Sequence, residues 1–153
     1  MDAPAVPTDT AAFPHLRSAI DRAWVAERYD LVRKQAEQYL ALADAHKDHW
    51  NYGNALHHGN LYLGLLAHRE GDLDRAQDYL LRSAATPGSP QLNSFGPNTL
   101  LADRLLATGR REAVRQFLER CRAFWSPQLA QIDSWLEALD RGEHPDFERN
   151  FLY

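Results

Sequence analysis

The chain has 153 residues, a formal net charge of −4 and 44% hydrophobic residues, a size at which a single domain buries about 70% of the surface its unfolded form exposes. Its 17 basic residues alternate with 21 acidic ones instead of gathering into one stripe, which argues against a phosphate-backbone footprint and so against nucleic acid as a partner. The strongest apolar run, LYLGLLAH at 61–68, lies between His58 and Arg69 and falls short of the roughly 20 residues that cross a bilayer, so no membrane is expected either.

In chain order, residues 1–12 are rich in Pro, Ala and Thr, carry an acid at Asp2, and lack a basic start followed by an apolar run. They read as a flexible tail of a cytoplasmic protein and not as a secretory leader. From Phe13 to Leu139 apolar residues recur three and four apart, with no sustained alternation of period two, so the fold class is all-α. Helices are expected over 14–27, 31–45, 49–69, 73–83, 97–107, 111–124 and 127–139.

The stops are legible. Gly71, Gly109 and Gly142 each follow an apolar stripe and suit the left-handed residue that ends a helix. Asp72 can cap the helix that begins near Leu73, and Ser126-Pro127 reads as a cap followed by a first-turn proline. The connector 86–94, TPGSPQLNS, is longer than a tight turn. It reads as a rigid spacer or as a rim loop whose Gln91, Asn93 and Ser94 offer polar contacts. Cys121, the one cysteine, has no internal disulfide partner, and its spacing from Val114, Phe117 and Leu118 marks it as a buried small hydrophobe. In the last helix Leu129, Ile132, Leu136 and Leu139 form one stripe.

Leu63-Gly64, Ala67, Gly71-Asp72, Ala76, Leu80, Ser83 and Pro87 stand at the spacings of the tetratricopeptide consensus, which this segment resembles. Leu101-Ala102, Leu105, Gly109, Val114, Leu118 and Cys121 repeat the pattern more weakly. Ile20, Ala23, Tyr29, Val32, Ala36 and Tyr39 repeat it more weakly still, without the glycine. Gly71 and Gly109 are 38 residues apart, against about 34 in regular repeats of this kind. The chain is also similar to a group of small bacterial helical-repeat proteins of unassigned function that carry an element like TPGSPQLNSFGPN. The resemblance implies a right-handed stack of three helical hairpins over 13–142, closed by a C-terminal capping helix. Gly59, Gly64, Ala67 and Ala76 would let neighbouring helix backbones approach closely.

In such stacks the first helix of each hairpin lines a concave face. Carried onto this chain, that geometry selects Arg17, Asp21 and Trp24, then Asn54, His58, Leu61, Tyr62, Leu65 and Arg69, then Thr99 and Asp103. Aromatic and aliphatic groups would supply contact area, while amides, His and Arg would supply directional hydrogen bonds. The resemblance therefore implies a scaffold for a protein or peptide. Leu61 and Leu65 suit core as well as groove. Arg17 and Asp21 stand where the carboxylate-clamp variety of the family wants a cation and an amide, so an acidic chain end of the chaperone-tail kind is not expected.

The rival reading is a small enzyme or metal-dependent sensor built on Asp44, His46, Asp48, His49, Asn51, Asn54, His57 and His58. His46/His49 and Asn54/His57 have helical ligand spacing, but asparagine is a poor zinc ligand and no HExxH or cysteine set accompanies them. The cluster is expected to cap helix ends and join helices. No GxSxG, phosphate-binding or dinucleotide glycine pattern is present, so no catalysis, metal or cofactor is expected. The end of the chain, with Phe147, Phe151 and Tyr153, is too apolar for a free tail. It is expected to pack near Trp135 or on a second copy across a homodimer interface.

Overall fold

A computed structural model describes residues 11–151, and the described residues form helices and turns with no strand. After a short 3-10 turn at Phe13–His15 come α1 (Leu16–Val25), α2 (Tyr29–Ala45), α3 (Tyr52–Arg69), α4 (Leu73–Ser83), α5 (Pro90–Phe95), α6 (Leu100–Ala107), α7 (Arg111–Cys121) and α8 (Leu129–Asp140). Two further 3-10 turns, Ser126–Gln128 and Glu148–Asn150, lead into α8 and end the described chain.

Each outer helix buries one face. In α2 it is Val32, Ala36, Tyr39 and Leu42; in α7 it is Val114, Phe117, Leu118 and Cys121. Burial holds the Cys121 thiol pKa well above its ordinary value, as suits a packed hydrophobe. The central helix α3 is different, because nearly every residue from Gly53 to Ala67 is buried. It packs chiefly on α2 and α4, and also touches α1, α5 and α6. Such contact on all sides needs small residues at the crossings. A Cβ added at Gly64 would lie 2.3 Å from a Leu101 methyl and 3.0 Å from Tyr79 Cβ, so larger residues there would force the helices apart.

Helix pairs α1–α2, α3–α4 and α6–α7 are each joined by three residues. In the last two pairs the sixth residue bonds back to the first, Asp72 N–H to Ala67 O and Arg110 N–H to Leu105 O, both at 2.9 Å, across glycines with φ of 82° and 89°. The first pair has no glycine, yet Arg28 N–H bonds to Ala23 O at 2.9 Å and Glu27 takes φ 58°. That conformation costs an L residue about 1–2 kcal/mol. Asp72 caps α4 by accepting from Arg75 N–H at 3.1 Å.

Several boundaries move. The helix expected from Pro97 starts only at Leu100; ahead of it Asn98 N–H donates to His57 Nε2, Thr99 N–H donates to Asn150 O, and the Asn98 side chain accepts from Leu100 N–H. The connector is not a plain loop, since it contains α5, whose cap Ser89 accepts from Leu92 N–H at 3.0 Å ahead of Pro90 in the first turn. Ser126 makes no cap bond; it opens a 3-10 turn, and α8 begins at Leu129. Leu129 is exposed, so the buried stripe of α8 is Ile132, Trp135, Leu136 and Leu139.

After α8 the chain turns back. Phe147 is buried edge-on to Trp135 at 5.1 Å between ring centroids, Trp135 Nε1 donates to Asp146 O, and Thr99 Oγ1 donates to Phe147 O. Asn150 donates to the carbonyls of Phe95 and Pro97. The expectations for residues 1–10 and for Leu152 and Tyr153 lie outside the described residues. Among those described, no helix is long and apolar enough to cross a membrane.

Candidate functional site

The first half of α3 carries buried polar side chains, and Asn51, Asn54 and His57 bond to other elements, whereas Asn60 bonds to Leu56 O of its own helix. Asn51 donates to Phe13 O at 3.1 Å and accepts from the Tyr39 hydroxyl at 3.1 Å, tying α3 to the N-terminal turn and to α2. Asn54 donates to Asn51 Oδ1 and to Gln91 Oε1, and accepts from the Ser89 hydroxyl, so it holds the start of α5. Thr86 donates to Gly53 O at 2.8 Å. A Cβ on Gly53 would lie 1.9 Å from Gly88 O, so the connector backbone rests directly on α3.

His57 is fully buried and bridges three segments. Asn98 N–H donates to its Nε2 at 2.9 Å, so Nε2 is the acceptor and Nδ1 carries the proton that it donates to Ser83 O at 2.8 Å. Burial lowers its pKa to about 4, against the pull of the Ser83 carbonyl. It is a neutral, fully engaged strut and not a general base.

Two cavities open along one face between α1 and α3. The larger, about 320 Å³, is lined by Asp21, Trp24, Val25, Leu61, Tyr62 and Leu65, with Asn98, Leu100 and Phe151 closing its far side. Trp24 and Tyr62 lie 5.9 Å apart by ring centroids, and the Tyr62 hydroxyl donates to Asp21. Burial and the Asp21 carboxylate push the Tyr62 pKa up, so its hydroxyl stays protonated. The smaller cavity, about 120 Å³, is lined by Arg17, Asn54, His58, Gln91, Leu92, Phe95 and Gly96. Arg17, which borders the smaller cavity, and Asp21, which borders the larger, are four residues apart on α1, with Arg17 Nε 3.7 Å from Asp21 Oδ2.

The structure thus brings together nine of the residues that the sequence selects: Arg17, Asp21, Trp24, Asn54, His58, Leu61, Tyr62, Leu65 and Gln91. Others lie elsewhere, among them Thr99, which is fully buried and donates to Phe147 O. Arg69 stacks over Tyr29 at 4.0 Å near the far end of α3. Asn93 points away, 3.4 Å from Phe124 O. Asp103 faces His144, 2.6 Å from its Nε2, beneath the returning tail. Leu61 and Leu65 are buried at 1% and 0% exposure, so they form the cavity floor and belong to the core. Phe95, Leu92, Asn98, Leu100 and Phe151 join the site without having been selected. Ser89-Pro90, a cap followed by a first-turn proline, was the available signal for α5 and hence for Phe95.

The histidine cluster does not converge. His46 Nδ1 donates to Leu42 O, His49 Nδ1 accepts from Asn51 N–H, and His57 is consumed as above. Among the described residues no group of three His, Cys, Asp or Glu side chains could hold a metal ion. No family model, curated protein or solved structure matches the chain.

Proposed function

We propose that the protein is a cytoplasmic peptide- or protein-binding module and not an enzyme, and that the trough between α1 and α3 is its binding groove. In this reading α1–α2, α3–α4 and α6–α7 are three tetratricopeptide-like hairpins in a right-handed stack, α8 is the cap, and α5 forms one rim of the groove.

The observation that carries the reading is that both cavities share the same two helices, one above the other. Arg17 and Asn54 serve the first; Trp24, Leu61 and Leu65 serve the second. Asn54 and Leu61 are seven residues apart, about 10 Å along a helix axis at 1.5 Å per residue, which is the reach of about three extended residues. A short segment lying along α3 would meet a small cavity edged by Arg17, Asn54 and Gln91 and then a larger one walled by Trp24 and Tyr62. Alternating pockets of that kind give sequence preference to an extended peptide.

Panning a random peptide library against the folded protein tests this. Enriched peptides should lose about tenfold in affinity, some 1.4 kcal/mol, to a Trp24→Ala/Tyr62→Ala variant that remains folded. Equal binding by that variant, or no enrichment at all, would overturn the groove assignment.

A further inference from the structure

The trough does not end at the larger cavity. Leu65 of α3 and Leu100 of α6 line that cavity, and Arg69 and Arg104, each four residues further along the same helix, line a third, open cavity of about 480 Å³. Residues four apart share a helix face, so α3 and α6 carry one continuous face from the aromatic cavity into a basic one. His68, Ala107 and Thr108 complete the lining, which holds no acid. Asp30 and Glu70 border a separate hollow that Arg69 shares, and Glu70 is paired there with Arg33.

Both guanidiniums are steered by rings and not by carboxylates. Arg69 lies 4.0 Å from the centroid of Tyr29 and Arg104 lies 5.6 Å from that of Trp24, and among the described residues neither forms an ion pair. Nor are they spent on the ends of their helices. Leu66 O, Ala67 O and His68 O accept from the N–H groups of Glu70, Asp72 and Gly71, while Arg104 O, Leu105 O and Leu106 O accept from those of Thr108, Arg110 and Gly109. Burial and the charge of Arg104 lower the His68 pKa, so positive charge is already in excess at this end.

We propose that the third cavity receives an acidic side chain, Asp or Glu, of a peptide lying in the trough, next to an apolar side chain of the same peptide seated in the larger cavity. This rests on the groove reading above and names the partner's chemistry. Two cations without an acid beside them complement a negative charge and repel Lys or Arg. The acid in the wall of the larger cavity, Asp21, is already occupied, since it accepts from Tyr62 and faces Arg17. Four residues of helix rise about 6 Å, the reach of about two extended residues. The acid therefore stands about two positions from the apolar anchor.

Peptides enriched from the random library are the probe, each compared with a twin in which Glu is replaced by Gln or Asp by Asn. Enriched sequences should carry an acid about two positions from an apolar residue, and the wild type should prefer the acidic peptide about fivefold, the upper range for an exposed ion pair. That preference should vanish in about 0.5 M sodium chloride and in an Arg69→Ala/Arg104→Ala variant, whose affinity for the amide twin should stay unchanged. Arg69→Lys/Arg104→Lys should retain it. Enriched peptides without an acid, or an amide twin that binds as well as its parent, would overturn the proposal. So would an Arg69→Ala/Arg104→Ala variant that weakens both twins alike, because the arginines would then act only by holding Tyr29 and Trp24. In each of these cases binding that depends on Trp24 leaves the groove standing, whereas a library that yields no binder overturns both.

Discussion

The two halves of α3 are equally buried and chemically opposite. From Leu61 to Ala67 every residue is apolar or glycine except Tyr62, whose hydroxyl reaches Asp21, whereas Asn51, Asn54, His57, His58 and Asn60 crowd the first half. Apolar side chains accept any close-packed apolar neighbour, so the second half tolerates whatever helix brings leucines to it. Buried polar groups need one particular partner each. The first half therefore dictates where the N-terminal turn, the connector and the start of α6 must lie: Phe13 O, Ser89, Gln91, Ser83 O and Asn98 N–H are all held by it. Both cavities border α3, and the smaller borders its polar half.

Breaking the polar half should cost most. His57→Leu would leave Ser83 O and Asn98 N–H buried and unpaired, at about 1–3 kcal/mol each, for a loss of about 2–6 kcal/mol in urea unfolding. Leu65→Ala, in the apolar half, should cost about 2–5 kcal/mol through lost contacts and a residual cavity. It should leave the His57 NMR signals in place, whereas His57→Leu should shift the resonances of the connector and of α6.

Acid distinguishes the halves more gently. The folded pKa of His57 is lowered to about 4 from the ordinary histidine value of 6.5, so the unfolded chain binds the proton more readily. The neutral histidine is fully tolerated above about pH 6.5, and stability should fall as pH drops from there toward 4. The difference between the two values corresponds to about 3 kcal/mol. His58, lowered well below 6.5 chiefly by burial and further by Arg17 and His57, adds loss in the same direction. Melting temperatures across this window should fall steeply for the wild type and less steeply for His57→Leu; parallel curves would show that the strut is not the origin of the slope. The smallest effect is in the wall of the larger cavity. Tyr62→Phe removes the hydroxyl that donates to Asp21, and should lower stability by about 0.5–1.5 kcal/mol while leaving the aromatic wall for Trp24 to pack against.

Legibility in the sequence followed the same division. The helical content, the glycine stops at Gly71 and Gly109 and the Asp72 cap follow from local rules: apolar residues every three or four positions, a residue tolerant of positive φ, and a short side chain that reaches its own backbone. The turn at Glu27 does not, because no local signal marks a glutamate for φ 58°; the packing of α1 on α2 imposes it. Of the residues selected for the groove, those on α1 and the middle of α3 gather as their spacing suggests, since one helix face stays one face in any fold. Arg69, Asn93 and Asp103 do not, because their positions depend on how separate elements meet.

By itself the sequence determined that the chain is helical, where most helices stop, and which faces are apolar, since these are properties of neighbouring residues along one backbone. Only the tertiary structure decided that α6 begins at Leu100, that His57 is neutral and spent while His58 keeps an unused nitrogen, and that Phe95 and Phe151 complete the cavities. The physical reason is that a buried polar group is defined by its partner. Here the partners of His57 lie 26 and 41 residues away along the chain, at distances over which no periodicity or local propensity carries information.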